Sequence, residues 1–387
     1  MSSPVYWGSP RQAQISPSET LPAKLDLILD KLHIRDRVKD RQVAIKMHLG
    51  TNVGYSVIHP VLVRRVVQAV LDGGGKPFVT DLPWCVEGAH TRGYTTETLG
   101  CPIYPSTGYK DQSASAVPFT FRGLTEFQIG TPVVEADFLI DLAHVKGHPS
   151  SSYGGAIKNL ALGCMSGATR GRMHDVAHWD PYFFKEHCPD EATRVAIRES
   201  CPFGAIVDDK QDPDGLHLHD DKCNQCMRCT GIAPGAFVPQ ESNFRAFMEV
   251  MNYAAQHVLN TFEPGCATFI NIANNQIPVC DCYGISPMPV MRDAGVFGSD
   301  DIVAIEQAVL DLTADSAIDE DALPGVLAII RREGHPWQWI HGIYKDPYYQ
   351  TAHAEQIGLG SRAYNLVDVL PVAVPDFKHE TYIATSV

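Results

Sequence analysis

Apolar and polar residues follow two different periods along this chain, and together they predict an α/β fold. Short apolar runs predict buried strands at 42–49, 76–82, 135–148 and 266–273. Apolar residues at helical spacing predict helices in HPVLVRRVVQAVLDGGG and at 25–34, 244–262 and 299–314. The last helix is expected to have Ser299 or Asp300 as its N-cap. Because strand, helix and strand follow one another, we expect a parallel or mixed sheet flanked by helices.

The chain divides into an α/β domain and a smaller insertion. Residues 1–22 carry Pro, Ser and Gln without periodicity and are expected to form an N-terminal arm. The α/β domain is expected to span 23–185 and 241–387, with an excursion or lid at 83–115 that is rich in Gly, Thr, Tyr and Pro. Residues 186–240 are rich in turn residues, Cys, Pro and Asp, and are predicted to form a separate small module.

Composition and charge exclude several classes of protein. The 387 residues carry 31 Lys and Arg against 45 Asp and Glu, a net charge of −14 that disfavours binding to a phosphate backbone. The longest apolar stretches are far shorter than the roughly 20 residues that a membrane span needs. The N-terminus lacks the basic and apolar regions of a signal peptide. We therefore expect a cytoplasmic protein that binds neither nucleic acid nor membranes.

Three of the eleven cysteines stand in one tight run, KCNQCMRC. Cys223, Cys226 and Cys229 have the C-x2-C-x2-C spacing of bacterial ferredoxins, in which a fourth Cys precedes a Pro. Here Ala233 precedes the proline, so the simple motif lacks its last ligand. In two-cluster ferredoxins the Cys before Pro serves the other cluster, and the upstream segment ESCPFGAIV offers Cys201 in that position.

The two proline-containing segments look like two copies of one half-module, and only one of their two cluster sites is complete. A cysteine at position 233 would have served a second cluster, but the triplet for that cluster is missing and only Cys188 lies nearby. The sequence therefore predicts one [4Fe–4S] cluster bound by Cys201, Cys223, Cys226 and Cys229. The alternative is a zinc ion held by the same four thiolates.

A second cysteine feature is the pair Cys280 and Cys282 in VCDCYG. Residues two positions apart on an extended strand share a face, so the two thiols are expected to point the same way. They could then bind a second metal or contact substrate. The alternatives are a redox pair or two buried thiols.

The segment VKGHPSSSYGGAIKN is predicted to hold the substrate. Lys146 and His148 lie just past the carboxyl end of a buried strand, where open α/β sheets bind their ligands. Gly154 and Gly155 stand at a helix start, where backbone N–H groups and the helix dipole favour an anion, and Lys158 lies one turn further. We therefore expect a small anionic substrate with a carboxylate or phosphate group. The alternative is a structural glycine turn with solvated lysines.

Side chains from two other strands are expected to converge on this segment. Lys46 and His48 end one strand, and Asp81 ends the next. The predicted catalytic residues are Lys146, His148 and Lys158, with the histidine or a lysine as proton donor. The predicted substrate-binding residues are Lys46, His48, Asp81, Tyr153, Gly154, Gly155 and Asn159.

In several of these segments the chain resembles the domain of unknown function 362 family. The similar segments, in order, are VAIKMHLG, HPVLVRRVVQAVLDGGGKPFVTD, ADFLIDLAHVKGH, YGGAIKNLALG, the cysteine run, VCDCYG, DAGVFGSDDIVAIEQAVLDL and AEQIGLGSRAYNLVDV. The resemblance implies an α/β domain with an inserted ferredoxin-like iron–sulfur module. The glycine–helix segment is also similar to part of the lactate racemase-type proteins. The missing first cysteine triplet and Ala233 depart from members with two clusters.

Three functions are compatible with these features. In the first, an oxidoreductase or electron-transfer protein passes single electrons to the anionic substrate or to a redox partner protein. In the second, a lyase, isomerase or racemase carries a structural cluster, because four Cys ligands leave no open iron site. In the third, a metal or cofactor maturation protein uses Cys280 and Cys282 to receive or deliver metal. The sequence favours the redox function.

Overall fold

The computed structural model describes residues 2–371. Its strands are β1 (Ser3–Gly8), β2 (Gln42–Met47), β3 (Lys76–Asp81), β4 (Ile103–Pro105), β5 (Ala114–Phe121), β6 (Leu124–Gly130), β7 (Phe138–His144), β8 (Lys146–His148), β9 (Ser152–Gly154), β10 (Ile206–Asp208), β11 (Leu216–Leu218), β12 (Ala267–Ala273), β13 (Gly295–Ser299) and β14 (Tyr364–Asp368). Its helices are α1 (Leu21–Lys31), α2 (Ile34–Arg37), α3 (Pro60–Asp72), α4 (Pro83–Glu87), α5 (Thr96–Leu99), α6 (Thr131–Val134), α7 (Ala156–Gly163), α8 (Gly167–Asp175), α9 (Glu191–Glu199), α10 (Glu241–Leu259), α11 (Ile302–Thr313), α12 (Pro336–His341) and α13 (Pro347–Gln356). Across residues 2–371, every helix falls short of the length and hydropathy that crossing a bilayer requires.

The main sheet of the described residues has eight strands in the order β14-β1-β13-β12-β7-β2-β3-β4. Strand β13 runs antiparallel to both of its neighbours, whereas the other adjacent pairs are parallel. Three two-stranded ribbons are separate from it: β5–β6, β8–β9 and β10–β11. The prediction of a mixed sheet flanked by helices is confirmed.

Helices cover both faces of this sheet and bury a hydrophobic core on each. On one face, α1 and α3 contribute side chains such as Leu29 and Val66. On the other face, α7 and α10 contribute Leu160 and Met251. Strands β2 and β7 are buried along nearly their whole length. Their sequences are therefore continuous apolar runs, since neither face of an inner parallel strand meets water.

The helices that follow β2 and β7 in the chain lie on opposite faces of the main sheet. The connection from β2 to β3 runs through α3 on one face, whereas the connection from β7 to β12 runs through α7 and α10 on the other. The two strands are neighbours, with Lys46 opposite Asp141. A crevice opens beyond the carboxyl ends of the strands at such a point, and open α/β sheets bind ligands there.

The local structure differs from the sequence predictions in three places. Ser3–Gly8, expected in an N-terminal arm, is β1 and pairs with β13 and β14 inside the sheet. Its burial alternates only in part, so its sequence shows no clear period. Ile103–Pro105, expected in an excursion, is the edge strand β4. The N-cap of α11 is Asp301, whose carboxylate accepts two N–H groups of the first turn, and not Ser299 or Asp300.

The cysteine-bearing segment has a small hydrophobic cluster of its own. Helix α9, the hairpin of β10 and β11, and a turn at Cys229–Gly231 pack together around Phe237. Tyr182 and Phe244 join the same cluster from outside 186–240. The hydrophobic core of this segment thus extends past both of the boundaries that the sequence suggests.

Candidate functional site

The first part of the site lies where β2 and β3 end. The buried Lys46 Nζ lies 3.1 Å from Asp81 Oδ1 and donates to Asn159 Oδ1 at 2.9 Å. The other Asp81 oxygen accepts the Leu49 N–H at 2.9 Å and lies 2.8 Å from His48 Nδ1. Burial would raise the pKa of Asp81, but Lys46 and His48 hold that pKa well below its usual range. Lys46 therefore neutralises a protein carboxylate and is not a free cation for substrate.

A second buried ion pair ties β7 and β8 to the turn that carries the Cys280 pair. Lys146 Nζ lies 3.0 Å from Asp281 Oδ2 and donates to the His144 carbonyl at 2.9 Å. His144 Nδ1 lies 2.9 Å from the same carboxylate oxygen. Lys146, predicted to be catalytic, is thus placed in a structural ion pair, and its partner Asp281 stands between the two cysteines.

Cys280 and Cys282 lie at a 3-10 turn, Asp281–Tyr283, and not on the extended strand that the sequence predicts. The turn still brings the two residues together, because the Cys282 N–H donates to Cys280 Sγ at 3.3 Å. Lys158 Nζ donates to the same sulfur at 2.8 Å. The third lysine of the predicted site is therefore paired with a cysteine.

Cys280 and Cys282 shift each other's pKa in opposite directions. Burial would raise the pKa of Cys280, but the hydrogen bond from Cys282 and the Lys158 ammonium bring that pKa well below its usual value. The hydrogen bond to Cys280 and burial raise the pKa of Cys282 well above its usual value. Lys158 is therefore placed to act as the counter-ion of a Cys280 thiolate.

His148 is buried close to Cys280 and Lys158. Its Nδ1 accepts the Ser150 N–H at 3.3 Å, so Nε2 carries the proton of the neutral ring. Burial lowers the pKa of His148 to about 4, and Lys158 acts in the same direction. His148 is therefore a neutral imidazole near pH 7, with Nδ1 occupied by the Ser150 N–H and the proton on Nε2.

A protein carboxylate already occupies the N-terminus of α7. Gly155 is the N-cap, as the sequence predicts. Glu306 Oε1, from α11, accepts the Ala156 N–H and the Asn271 amide, the latter at 3.0 Å. A Cβ on Gly155 would lie 2.4 Å from both Glu306 Oε1 and the Tyr153 hydroxyl. The helix dipole thus acts on Glu306 and not on a substrate anion, and Tyr153 points into the core.

Glu306 gives the protein a pH-dependent stability. Burial raises the pKa of Glu306 to about 7, from an ordinary value of 4.5. The contribution of Glu306 to the folding free energy is then most favourable below pH 4.5, weakens between pH 4.5 and 7, and has lost about 3 kcal/mol above pH 7. We expect Glu306→Gln to keep the hydrogen bonds and to remove this dependence. Urea unfolding at several pH values measures it, with the exposed Glu320→Gln variant as control. Equal pH slopes for the parent and Glu306→Gln would contradict the prediction.

A cleft of about 260 Å³ opens beside Lys158 and His148. A narrow extension leads from it to Lys46 and Asp81, and the two parts share Lys158, Leu162, Arg170 and Cys282. Asp220 and Asp221, which precede Cys223 in the chain, form part of the opposite wall. The cleft therefore lies between the strand ends and the cysteine-bearing segment.

Arg170 is a cleft residue that the sequence patterns do not identify. It lies on α8, and its guanidinium stacks over Trp84 at 5.1 Å from the ring centroid. Its Nε is buried and has no hydrogen-bond partner among the described residues. Since Lys46, Lys146 and Lys158 are each paired with a protein anion, Arg170 is the cleft cation best placed to bind a substrate anion.

The four cysteines of the predicted cluster site are close neighbours. Burial and the nearby Cys223, Cys226 and Cys201 raise the pKa of Cys229 to about 12. Burial also raises the pKa of Cys223 to about 11, against the opposing charge of Lys345. Burial and the neighbouring thiols both oppose ionisation here, so thiolates in this group would need a compensating positive charge.

Lys345 connects this group to the cleft. The buried Nζ donates to the carbonyls of Asp220 and Cys223, each at 2.8 Å, and to that of Pro149. Pro149 follows His148, so one ammonium joins the loop of the cysteine segment to the loop of the site. The sequence does not indicate that Lys345 joins these two loops, because all three of its carbonyl acceptors are distant in the chain.

The structure brings most of the predicted site residues together, but in changed roles. Five of them lie together around the ends of β2 and β3: Lys46, His48, Asp81, Lys158 and Asn159. The residues that the sequence analysis missed are Asp281, His144, Arg170, Glu306 and Lys345. Of these, Asp281 had the clearest signal, since it stands inside the Cys280–Cys282 motif.

Comparison with known proteins identifies one family and several distant relatives. The sequence model of a family described as "Domain of unknown function (DUF362)" matches residues 43–311. A thylakoid-associated protein from Synechocystis sp. is 29% identical over 145 residues, which are 36% of this chain and 43% of that protein. The chain thus covers less than half of the length of this curated relative.

Two solved structures are similar at low levels. The lactate racemase apoprotein from Thermoanaerobacterium thermosaccharolyticum is 12% identical, with a TM-score of 0.34 over 70% of this chain and 50% of that one. A structural-genomics protein from Thermotoga maritima is 11% identical, with a TM-score of 0.36 over 65% of this chain and 50% of that one. Similarities at this level support no argument about function.

Proposed function

The chain belongs to the DUF362 family, and on that premise we propose that it is an iron–sulfur oxidoreductase or electron-transfer protein acting on a small anionic substrate. One [4Fe–4S] cluster, held by Cys201, Cys223, Cys226 and Cys229, would supply single electrons beside the cleft. We place the protein in the cytoplasm, where reducing conditions keep thiols free. A redox partner protein would serve as the electron donor.

The backbone of the cysteine run is the observation that supports a cluster most directly. Gln225 and Met227, which lie between successive cysteines, adopt left-handed conformations with φ of 56° and 63°. Residues with side chains rarely take these values, and those that do are often found at ligand-binding sites. Alternation between right- and left-handed residues turns successive N–H groups inward, as in the anion-binding nests of many iron–sulfur sites.

The distances among the ligand atoms lead us to favour a cluster over a single zinc ion. Four thiolates on one zinc, at about 2.3 Å from the metal, lie roughly 3.8 Å from one another. The groups of ligand atoms within 4.8 Å of one another among the described residues lie elsewhere, around His48, and do not include three of the four sulfurs. A larger iron–sulfur core does not require its sulfur ligands to lie so close together.

The position of the cleft supports a substrate next to the cysteine segment. Asp220 and Asp221 line the cleft and stand within three residues of Cys223. Lys345 holds the Cys223 carbonyl and the Pro149 carbonyl on the same ammonium. A substrate in the cleft would thus lie between the strand ends and the cysteine loop. This position would place the substrate close enough to the cluster for electrons to pass from the cluster to the substrate.

Charge and size indicate what the cleft could bind. Arg170 presents a buried, unpartnered Nε there among the described residues, and Lys158 lies beside it in the cleft wall. An anion such as a carboxylate would accept from the guanidinium. A volume of about 260 Å³ limits the substrate to a small molecule. An unsaturated carboxylate fits these limits, and its reduction would take two protons from water and two electrons that the redox partner protein passes one at a time through the cluster.

The test begins with anaerobic purification and an EPR spectrum before and after dithionite. We expect about four irons and four sulfides per chain and a reducible cubane signal. The reduced chain is then mixed with a panel of unsaturated carboxylates, with fumarate first, and reoxidation is followed by stopped-flow absorbance. Arg170→Ala should raise the half-saturating concentration of an active acceptor by about 10- to 100-fold at unchanged iron content. Arg172→Ala, an exposed arginine on the same helix, is the matched control.

A non-redox enzyme with a structural cluster is the second candidate. The observation in its favour is that His148 and His174 both line the cleft, and that burial lowers the pKa of each. A neutral imidazole such as that of His174 could act as a base in a lyase, isomerase or racemase. A cluster that dithionite does not reduce would favour this candidate, and metal that passes readily to an acceptor would favour a maturation protein. Zinc without sulfide would overturn the iron–sulfur proposal.

A further inference from the structure

We propose that His48 Nε2, Cys280 Sγ and Cys282 Sγ bind one zinc ion, with a fourth coordination position facing the cleft. The three ligand atoms lie within 4.8 Å of one another. Two thiolates and one imidazole form a ligand set that suits zinc, and three protein ligands with one open position are typical of catalytic zinc. This site is separate from the four cysteines assigned above to the [4Fe–4S] cluster and does not depend on them.

The orientation of His48 is the first argument. Its Nδ1 lies 2.8 Å from Asp81 Oδ2, and the same oxygen accepts the Leu49 N–H at 2.9 Å. Its Nε2 is buried and has no hydrogen-bond partner in the part of the chain that the structure describes. A histidine held by a carboxylate on one nitrogen and free on the other has the arrangement of most zinc-binding histidines.

The cysteine turn supplies the other two ligands from a fixed backbone. The Cys282 N–H donates to Cys280 Sγ at 3.3 Å, and Thr51 Oγ1 donates to the Cys282 carbonyl at 3.0 Å. The residue between the two cysteines, Asp281, is not one of the proposed ligands, because its carboxylate contacts His144 and Lys146. The two sulfurs are therefore held on one side of the turn, close to His48.

A competing group around the same histidine lacks free ligand atoms. His48, Asp81 and Cys85 also lie within 4.8 Å of one another. However, the Asp81 oxygens are occupied by Lys46, His48 and Leu49, and Cys85 Sγ is 4.0 Å from the same nitrogen that Asp81 holds. Zinc at this position would have to break the carboxylate–histidine contact, whereas zinc at the cysteine pair would use it.

The surroundings indicate which ligand would take the fourth position. His48, Cys282 and Lys158 all line the narrow extension of the cleft. Two thiolates neutralise one zinc ion, so the Lys158 ammonium remains as a positive charge beside it. A carboxylate or carbonyl oxygen of a small anionic molecule is the ligand that this pair of charges favours.

The test measures zinc and iron in the same samples. The full chain, purified anaerobically with its cluster, is incubated with zinc chloride, desalted and analysed by mass spectrometry of the elements. We expect about one zinc per chain, and near zero in Cys282→Ser and His48→Gln. Cys85→Ser and the buried Cys101→Ser should keep it, since neither thiol belongs to the site. The X-ray absorption spectrum of bound zinc should show two sulfurs at about 2.3 Å.

The outcomes separate this proposal from the proposed function. The iron content should be equal in all variants, which also shows that they have folded. Should iron be absent, the cluster proposal fails, while the zinc difference between the parent and Cys282→Ser still tests this site. A parent chain without zinc after desalting, equal zinc in Cys282→Ser, or a Cys280–Cys282 disulfide in the anaerobic protein would overturn it.

Discussion

Asp81→Ala is expected to destabilise the fold by about 3–5 kcal/mol, because it removes one partner from a buried charge network. Lys46 and Asp81 are each 1% exposed, and their charged atoms lie 3.1 Å apart. Without the carboxylate, the Lys46 ammonium keeps only neutral partners, Asn159 Oδ1 and the Met47 carbonyl. The Leu49 N–H also loses its acceptor. Urea denaturation, followed by circular dichroism, measures the difference.

Two further variants provide comparisons for the stability of Asp81→Ala. Asp212→Ala breaks the solvent-exposed ion pair with Lys185, at 2.6 Å, and should leave stability nearly unchanged. Asp81→Asn keeps an acceptor and removes the charge, so it should fall between the parent and Asp81→Ala. A loss of less than about 1 kcal/mol in Asp81→Ala would mean that water or another group reaches Lys46, and the network would not be the closed one described above.

Cys201→Ser should remove the iron–sulfur cluster, with iron falling from about four per chain to less than one after anaerobic reconstitution. Cys201 is the remote fourth member of the site, and its sulfur accepts the Ala205 N–H at 3.3 Å. A serine oxygen is a harder and more basic ligand than a thiolate and binds cluster iron less well. Because metal binding and folding are coupled, the variant should also lower the unfolding temperature of the cysteine-bearing segment.

Cys188→Ser is the matched control for this variant. Cys188 belongs to the same segment and packs against the same hydrophobic cluster, but its thiol donates to the Asp190 carbonyl at 3.5 Å. We expect it to keep four irons and four sulfides. If Cys188→Ser lost the cluster and Cys201→Ser kept it, the ligand set would be wrong. The number of irons in each variant therefore decides which cysteine completes the site.

The strand predictions succeeded because the signal is local. Residues 42–47 and 138–144 are apolar runs buried on both faces, and such a run is visible in any window of the sequence. The polar residues at or just past the ends of these strands, Lys46, His48 and Lys146, were found by the same reasoning. β1 was missed because its six residues alternate only in part, and its place in the sheet depends on pairing with β13 and β14, which lie in the last quarter of the chain.

The charge of the site could not be predicted in the same way. The sequence shows three lysines near glycine turns and suggests a positive pocket. The tertiary structure pairs each lysine with an anion that is more than thirty residues away: Lys46 with Asp81, Lys146 with Asp281 and Lys158 with Cys280. Glu306 likewise reaches the start of α7 from another helix. No pattern along the chain encodes which side chains face each other across a sheet edge.

The sequence by itself therefore determined the α/β architecture, the edge of the sheet where the site lies and the grouping of the cysteine run. These follow from periodicity and spacing, which short segments carry. Only the tertiary structure decided the lowered pKa values of Cys280 and His148, the free nitrogen of His48 and the role of Arg170. The reason is that burial and pairing set these properties, and both arise only when distant segments pack together.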